Sequence, residues 1–333
     1  MPTHPYVFTW LLVSRVRVIM QRKRIQNKIS ESRWSLPVIA PLAISIWVMA
    51  CLTDISVIPS LLCVVFSTYL MMELNNANAL IRIYSRIISC TFLLLATMAM
   101  YHFVHLRAAI VVLCTVGFYT CSFRCYQDNR SPGWIFYAFL CVGCSSVVWV
   151  QTLYFVPLLW LMVGKNLLAM SLRSFVSSLF GIVFPHLVLI GYFIWTNQSE
   201  RVISHFQSLG QFGQVLDYKI LSLNQIITVV WLIVCAAIGT VHCVRQKRSD
   251  SIRTRLLYNF LINVDWMAIA FLLAQPQHYE PLLGIITVTT SPIIGHFLAL
   301  TYTKWSNLTF KVLGLGTIAI LLFNLWTSSP IFF

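Results

Sequence analysis

The chain has 333 residues, of which 59% are hydrophobic and only 10% charged, against about 25% charged in soluble domains. A globule so poor in charge could not cover its surface with polar groups, whereas a bilayer solvates apolar side chains and penalises charge, so with a mean hydropathy of +0.80 a soluble fold is excluded. The net charge of +14 would suggest nucleic acid on a soluble protein, but here the basic residues form short clusters between apolar runs, and no nucleic-acid partner is expected.

Residues 1–34 read as a basic cytoplasmic segment. The apolar run Tyr6-Val-Phe-Thr-Trp-Leu-Leu-Val13 is too short to span and has no small-residue cleavage site. Met20 is followed by Gln-Arg-Lys-Arg, a good cytoplasmic start, so translation is expected to begin there, with 1–19 as an upstream extension. The intact mass of natively expressed protein decides this.

Eleven apolar segments follow, at 35–53, 55–74, 87–104, 108–123, 134–149, 152–164, 175–196, 225–244, 256–274, 281–302 and 308–327. The expected fold class is therefore all-α, a polytopic transmembrane helical bundle of about eleven spans. It forms one domain over 35–327, with a cytoplasmic N-terminus and a short tail at 328–333. Charge tests this layout. Of the 23 Lys and Arg, all but Arg107, Arg201 and Lys219 fall on the starting side, which supports both orientation and parity. The run 134–164 is flanked on both sides by basic clusters, Arg124/Arg130 and Lys165/Arg173, so it is expected to turn back near Gln151. Each arm then reaches only roughly 20–23 Å, short of the hydrocarbon thickness of about 30 Å. The arms are thus expected to be buried in the bundle or re-entrant.

Trp34, Tyr84, Trp134, Tyr154, Trp195, Tyr279 and Trp305 lie near predicted interfaces as an aromatic belt. Most of the ten cysteines sit inside apolar runs, which is no disulfide framework. Cys141-Val-Gly-Cys144 has redox spacing but no second pair or nearby His, and reads as small packing residues. No internal repeat, Walker loop, GxSxG, HExxH or GxGxxG is present, and no cofactor is expected. Asn197-Gln-Ser199 is a sequon in the longest polar interval.

The nine acidic residues can each be placed. Glu31, Asp128 and Asp250 read as solvated loop residues beside basic ones, and Glu200 and Asp217 lie in the long outer loop. Asp265 falls near the middle of the ninth span, where a carboxyl costs several kcal/mol unless paired, protonated or hydrated. It is either an ion-coupling group or a hydrogen-bonded tie between helices. Glu73-Leu-Asn75-Asn76, followed by Arg82, reads either as a polar head-group pocket or as a helix end closing on itself. On the outer side lie His102 and His105, three apart at the end of the third span, then Arg107, with His278 and Glu280 before the tenth span and Asp54 in the first hairpin. Arg107 with the imidazoles suits a phosphate, and Asp54 or Glu280 a general base. Two imidazoles and a carboxylate are enough for zinc, but HxxH without a partner motif is weak, and no metal is expected. Pro185-His186 and Pro292 before His296 mark broken helices.

Two stretches resemble a known group: Glu73-Leu-Asn-Asn-Ala-Asn-Ala-Leu-Ile-Arg-Ile-Tyr-Ser-Arg-Ile-Ile-Ser, and Leu168-Ala-Met-Ser-Leu-Arg-Ser-Phe-Val-Ser-Ser-Leu-Phe-Gly-Ile-Val-Phe-Pro-His. Together they look like uncharacterised multi-pass inner-membrane proteins of Bacteroidetes, with a Glu-Leu-Asn element before a basic turn and an Arg-Ser…Gly…Pro element opening a later span. The resemblance covers about 37–195 and implies the cell inner membrane as compartment, with no mechanism. A looser similarity is to polyprenyl-phosphate-dependent glycosyltransferases, whose first outer loop carries a catalytic carboxylate where Asp54 falls. Here that loop is almost absent, and no paired acidic motif occurs. The leading expectation is a multi-pass inner-membrane protein tied to envelope or lipid-linked glycan metabolism, with membrane lipid and a lipid-phosphate-linked substrate as partners. The alternatives are an outer-face glycosyltransferase-like enzyme, which predicts loss of activity in Asp54→Asn, a proton- or ion-coupled transporter using Asp265, and a non-catalytic subunit held by a membrane-protein partner.

Overall fold

A computed structural model describes residues 24–103, 105–198 and 200–332. The proposed start at Met20, with Arg15, Arg17, Arg22 and Lys23, lies outside the described residues. Among the described residues the regular structure is helical: α1 (Ile25–Ser30), α2 (Ser35–Thr53), α3 (Ile58–Asn78), α4 (Ile87–Met98), α5 (Leu106–Ser122), α6 (Pro132–Val148), α7 (Val156–Met162), α8 (Leu172–Trp195), α9 (Glu200–Gln207), α10 (Leu223–Gln246), α11 (Ile252–Ala274), α12 (Tyr279–Leu300) and α13 (Lys304–Phe332).

Local chemistry sets the helix starts. Ser171 and Ser251 accept from Ser174 N and Thr254 N, capping α8 and α11, and Ser222 with Gln225 forms a capping box on α10. Pro lies in the first turn of α3 and α6, where its missing N–H goes unnoticed. Among the described residues eight helices are long and apolar enough to cross a membrane, and Ile87–Met98 and Pro132–Val148 are shorter apolar helices. These ten cover ten of the expected spans, although the expected 87–104 breaks at Ala99 and continues as a separate turn, Met100–Phe103. The remaining expected span, 152–164, is composite. It runs as a 3-10 turn Val150–Phe155, then α7, then a π turn Val163–Leu167 closed by Leu168 in the left-handed region at φ 55°.

The helix ends fall into two sets. At one end Arg24 Nη1 donates to Tyr302 O, Asn166 Nδ2 to Leu256 O, Arg253 Nη2 to Asn78 Oδ1 and Gln127 N to Leu167 O. At the other, Gln151 Nε2 donates to Ser208 O, and Leu216 N to Ala274 O. The run 134–164 does reverse, because its turn touches Ser208 while Leu167 comes back to Gln127. Its tip is buried within the protein, with Val150, Gln151 and Thr152 all under 8% exposed, as the shortness of the arms requires.

Helix α12 is the central pillar. It packs against α4, α5, α10 and α11. In the apolar stretch of Pro276–Leu300 94% of the residues are buried, against at most 50% in each of the other long apolar helices. The outer helices expose large apolar side chains such as Leu52, Leu172, Trp195 and Trp305. In water so large an apolar surface would drive aggregation, and in lipid it is solvated. The α6–α8 contact is made by glycines. A Cβ on Gly181 would lie 2.6 Å from Phe136 O, and one on Gly143 2.7 Å from Ile182 O, so the two backbones touch as small residues allow. Pro185 and His186, just beyond, pack on the same face, and His186 Nε2 shares a 2.9 Å hydrogen bond with Ser146 Oγ.

Candidate functional site

The outer set converges in part. A cavity of about 320 Å³ opens at the end opposite the basic clusters. Its lining comes from four places: Arg107 at the start of α5, Trp149 just past α6, Gln225 in the first turn of α10, and Gln277, His278, Tyr279 and Glu280 where α12 begins. His105 joins through its Nε2, 3.5 Å from Glu280 Oε1. Both side chains of that pair are substantially exposed, so water screens it and its worth is small, under about 1 kcal/mol. Its role is orientation. His278 is wedged between aromatic rings, 5.7 Å from Trp149 and 5.9 Å from Phe271, and its Nδ1 accepts from Trp149 Nε1 at 3.4 Å. Its Nε2 lies 3.3 Å from Gln277 Nε2, so both ring nitrogens are engaged by neighbours. Tyr279, buried below the cavity, meets Tyr101 OH at 3.4 Å, and Tyr101 reaches Thr228 at 3.1 Å. The guanidinium of Arg107 stands exposed at the mouth. One fixed cation, a carboxylate steadied by an imidazole and a half-buried neutral imidazole can together hold an anion and accept a proton from a group beside it.

Of the other residues singled out from sequence, Asp54 does not line this cavity. It caps its own turn, its Oδ1 accepting from Ser56 N at 2.8 Å and its Oδ2 from Ser56 Oγ at 2.7 Å. The Ser56 hydroxyl, then the Ser56 backbone N–H, hold the Asp54 carboxyl below its usual range. A depressed carboxyl stabilises the fold above its unfolded pKa and loses that contribution as pH falls through the folded value. Asp54→Ala is therefore expected to lower the Tm slightly at pH 7, with the difference closing at acidic pH, read by thermal unfolding across pH. The side chain of His102 lies outside the described residues.

The Glu73 stretch closes the end of α3. Asn75 Nδ2 donates to Ser85 O at 2.8 Å and Asn75 Oδ1 accepts from Ile81 N at 3.3 Å, which fixes the 79–86 turn after Ala79 takes φ 48°. Asn76 and Arg82 are exposed and Glu73 half-buried. Asn75 is thus occupied by the fold, and the structure brings these four residues to the basic end, apart from the cavity.

Asp265 is fully buried on α11. Thr289 Oγ1 lies 2.6 Å from its Oδ1, and Thr290 Oγ1 lies 3.1 Å and 3.2 Å from its two oxygens. Thr289 has one hydroxyl proton and also meets Ile285 O at 2.9 Å. If that proton goes to the carbonyl, the carboxyl donates to Thr289 and accepts from Thr290, a set that a neutral side chain completes. Asp265→Asn is expected to keep folded yield close to wild type, and Asp265→Ala to cost about 1–3 kcal/mol through the unmade bonds. Unfolding in detergent checks both. Wild-type folding with abolished pH-dependent uptake in the Asn variant would instead mark an ion-coupling group.

One cluster was missed. Asp250 is not solvated as expected. Its side chain is 7% exposed, and its Oδ2 lies 3.3 Å from Nε2 of the wholly buried His296, though off hydrogen-bond alignment. The His242 and Tyr258 rings stand 5.2 Å and 4.6 Å from the His296 ring, and Cys243 Sγ is 3.8 Å from its Nδ1. Asp250 and Cys243 face opposite nitrogens of one ring, so they cannot share a ligand with it. Among the described residues no group of three or more His, Cys, Asp or Glu is placed to hold a metal ion. The only sequence signal was His296 after Pro292 in a central apolar helix. No family model, curated protein or solved structure matches the chain.

Proposed function

We propose that this membrane-embedded chain binds the anionic head group of a lipid-linked substrate in the cavity at the end opposite its basic clusters, and acts on it there. The observation that carries the reading is the meeting of His105, Arg107, His278 and Glu280, drawn from two distant stretches of chain, at one cavity. The guanidinium fork of Arg107 suits a phosphate oxygen. Glu280, beside His105, takes the proton of a hydroxyl whose oxygen bonds to the sugar carbon carrying the phosphate, and the lipid phosphate leaves as an anion that Arg107 holds. The cavity lies at the small end of the ligand-pocket range of about 300–1,000 Å³, room for a head group and not for a whole lipid. Asp54 takes no part in this reading, its carboxylate being committed to Ser56.

The charge distribution supports a cytoplasmic basic end and an outer cavity. With the 134–164 hairpin counted twice the chain crosses eleven times. The resemblance to inner-membrane proteins of Bacteroidetes supports the compartment, and envelope or lipid-linked glycan metabolism is the setting such a site fits. The test is the pool of lipid-linked sugars in cells lacking the protein. A changed pool, restored by wild type and not by Glu280→Gln, is expected, and an unchanged pool contradicts the proposal.

A further inference from the structure

The long segment after α8 folds back toward the bundle. The rings of His205 and Phe206 on α9 lie 6.0 Å and 5.2 Å from the ring of His186. Helix α8 continues nine residues past His186 to Trp195, about 14 Å along its axis. Helix α9 therefore sits well inside the span of α8, above the short 134–164 hairpin, in the space that the short arms leave open.

Irregular backbone at that depth is tolerated where protein supplies its hydrogen bonds, and here it does. Gln151 Nε2 donates to Ser208 O at 3.0 Å, Tyr154 OH donates to Leu209 O, and the Tyr154 ring stacks on Phe212. Farther on, Leu216 N donates to Ala274 O at 3.2 Å. Residues 202–216 contain no Asp, Glu, Lys or Arg, while Glu200 and Arg201 precede them and Asp217 and Lys219 follow. Large apolar side chains stand open along it: Ile203 is 59% exposed, Val215 65% and Phe212, on the ring face not against Tyr154, 58%, with the uncharged polar Ser204, Gln207, Gln211 and Gln214 exposed between them. Next to His186 in sequence, α8 exposes Leu187 and Val188, apolar surface of the kind read above as meeting lipid.

We propose that residues 200–216 are a membrane-inserted, re-entrant element, with Ile203, Phe212 and Val215 among the acyl chains of the leaflet on the cavity side. The occupant of this face is lipid. The segment has an uncharged stretch between charged ends, its helix α9 lies at the depth of His186 on α8, and its far end returns to the helix end at Ala274. An amphipathic element of this kind binds by apolar burial. It also reaches the cavity, since a Cβ on Gly213 would meet the side chain of the cavity residue Gln277.

The test uses a photoreactive benzoylphenylalanine at Ile203, Phe212 or Val215 in the full chain, reconstituted in vesicles of phosphatidylethanolamine and phosphatidylglycerol. Leu187 serves as the lipid-facing control and Lys247 as the water-facing one, with adducts read by mass spectrometry. Lipid adducts at Ile203 and Val215 comparable to Leu187 and well above Lys247 are expected. Adducts at the Lys247 level, or cross-links to a second copy or another protein in place of lipid, overturn the proposal. Phe212 gives a second reading should one labelled variant misfold. No outcome depends on what the cavity binds.

Discussion

Glu280→Gln is expected to lower turnover by about 10²–10⁴-fold, the usual worth of a positioned general base, with substrate affinity little changed. Glutamine keeps the size and the acceptor oxygen that faces His105 Nε2 but cannot take a proton. His105→Ala is expected to act more weakly, because the exposed pair orients Glu280 without anchoring it. A fall in kcat with constant KM separates the base role from binding. Equal turnover in wild type and Glu280→Gln would remove Glu280 from the chemistry while leaving Arg107 as a binding group.

Gly181→Leu is expected to cost about 3 kcal/mol or more, the upper range of overpacking. At Gly181 the first added carbon already meets Phe136 O at 2.6 Å and Leu140 N at 3.0 Å. These are backbone atoms of α6 and cannot rotate aside. The helices must separate, which also pulls His186 from Ser146 and releases α9 from its seat on His186. Gly191→Leu is the control, since nothing lies within 4 Å of a Cβ there. Unfolding in detergent is expected to show a large loss for Gly181→Leu and almost none for Gly191→Leu.

The helices were legible because apolar length is a strong signal, and the 134–164 reversal was legible because charge fixes parity even where the arms are too short to stand out. Arg107, His105, His278 and Glu280 were legible as a set by side alone, since helix ends on one side of a small bundle have few places to go. What escaped the sequence was pairing at distance. Asp250 stands among Arg248, Arg253 and Arg255 and reads as solvated, yet it turns inward to His296, which no local pattern records. Asp54 and Asn75 misled for the opposite reason, because short polar side chains bond to their own turn and so look available when they are occupied. The depth of 200–216 was hidden because a polar loop and a re-entrant one differ only in where the bundle leaves room.

The convergent head-group site is tested most directly by affinity for a short-chain polyprenyl monophosphate in lipid nanodiscs, with inorganic phosphate as competitor. Arg107→Ala is predicted to weaken binding at least about tenfold, or 1.4 kcal/mol, while Arg82→Ala at the opposite end leaves it unchanged. Equal affinity in wild type and Arg107→Ala would contradict the site.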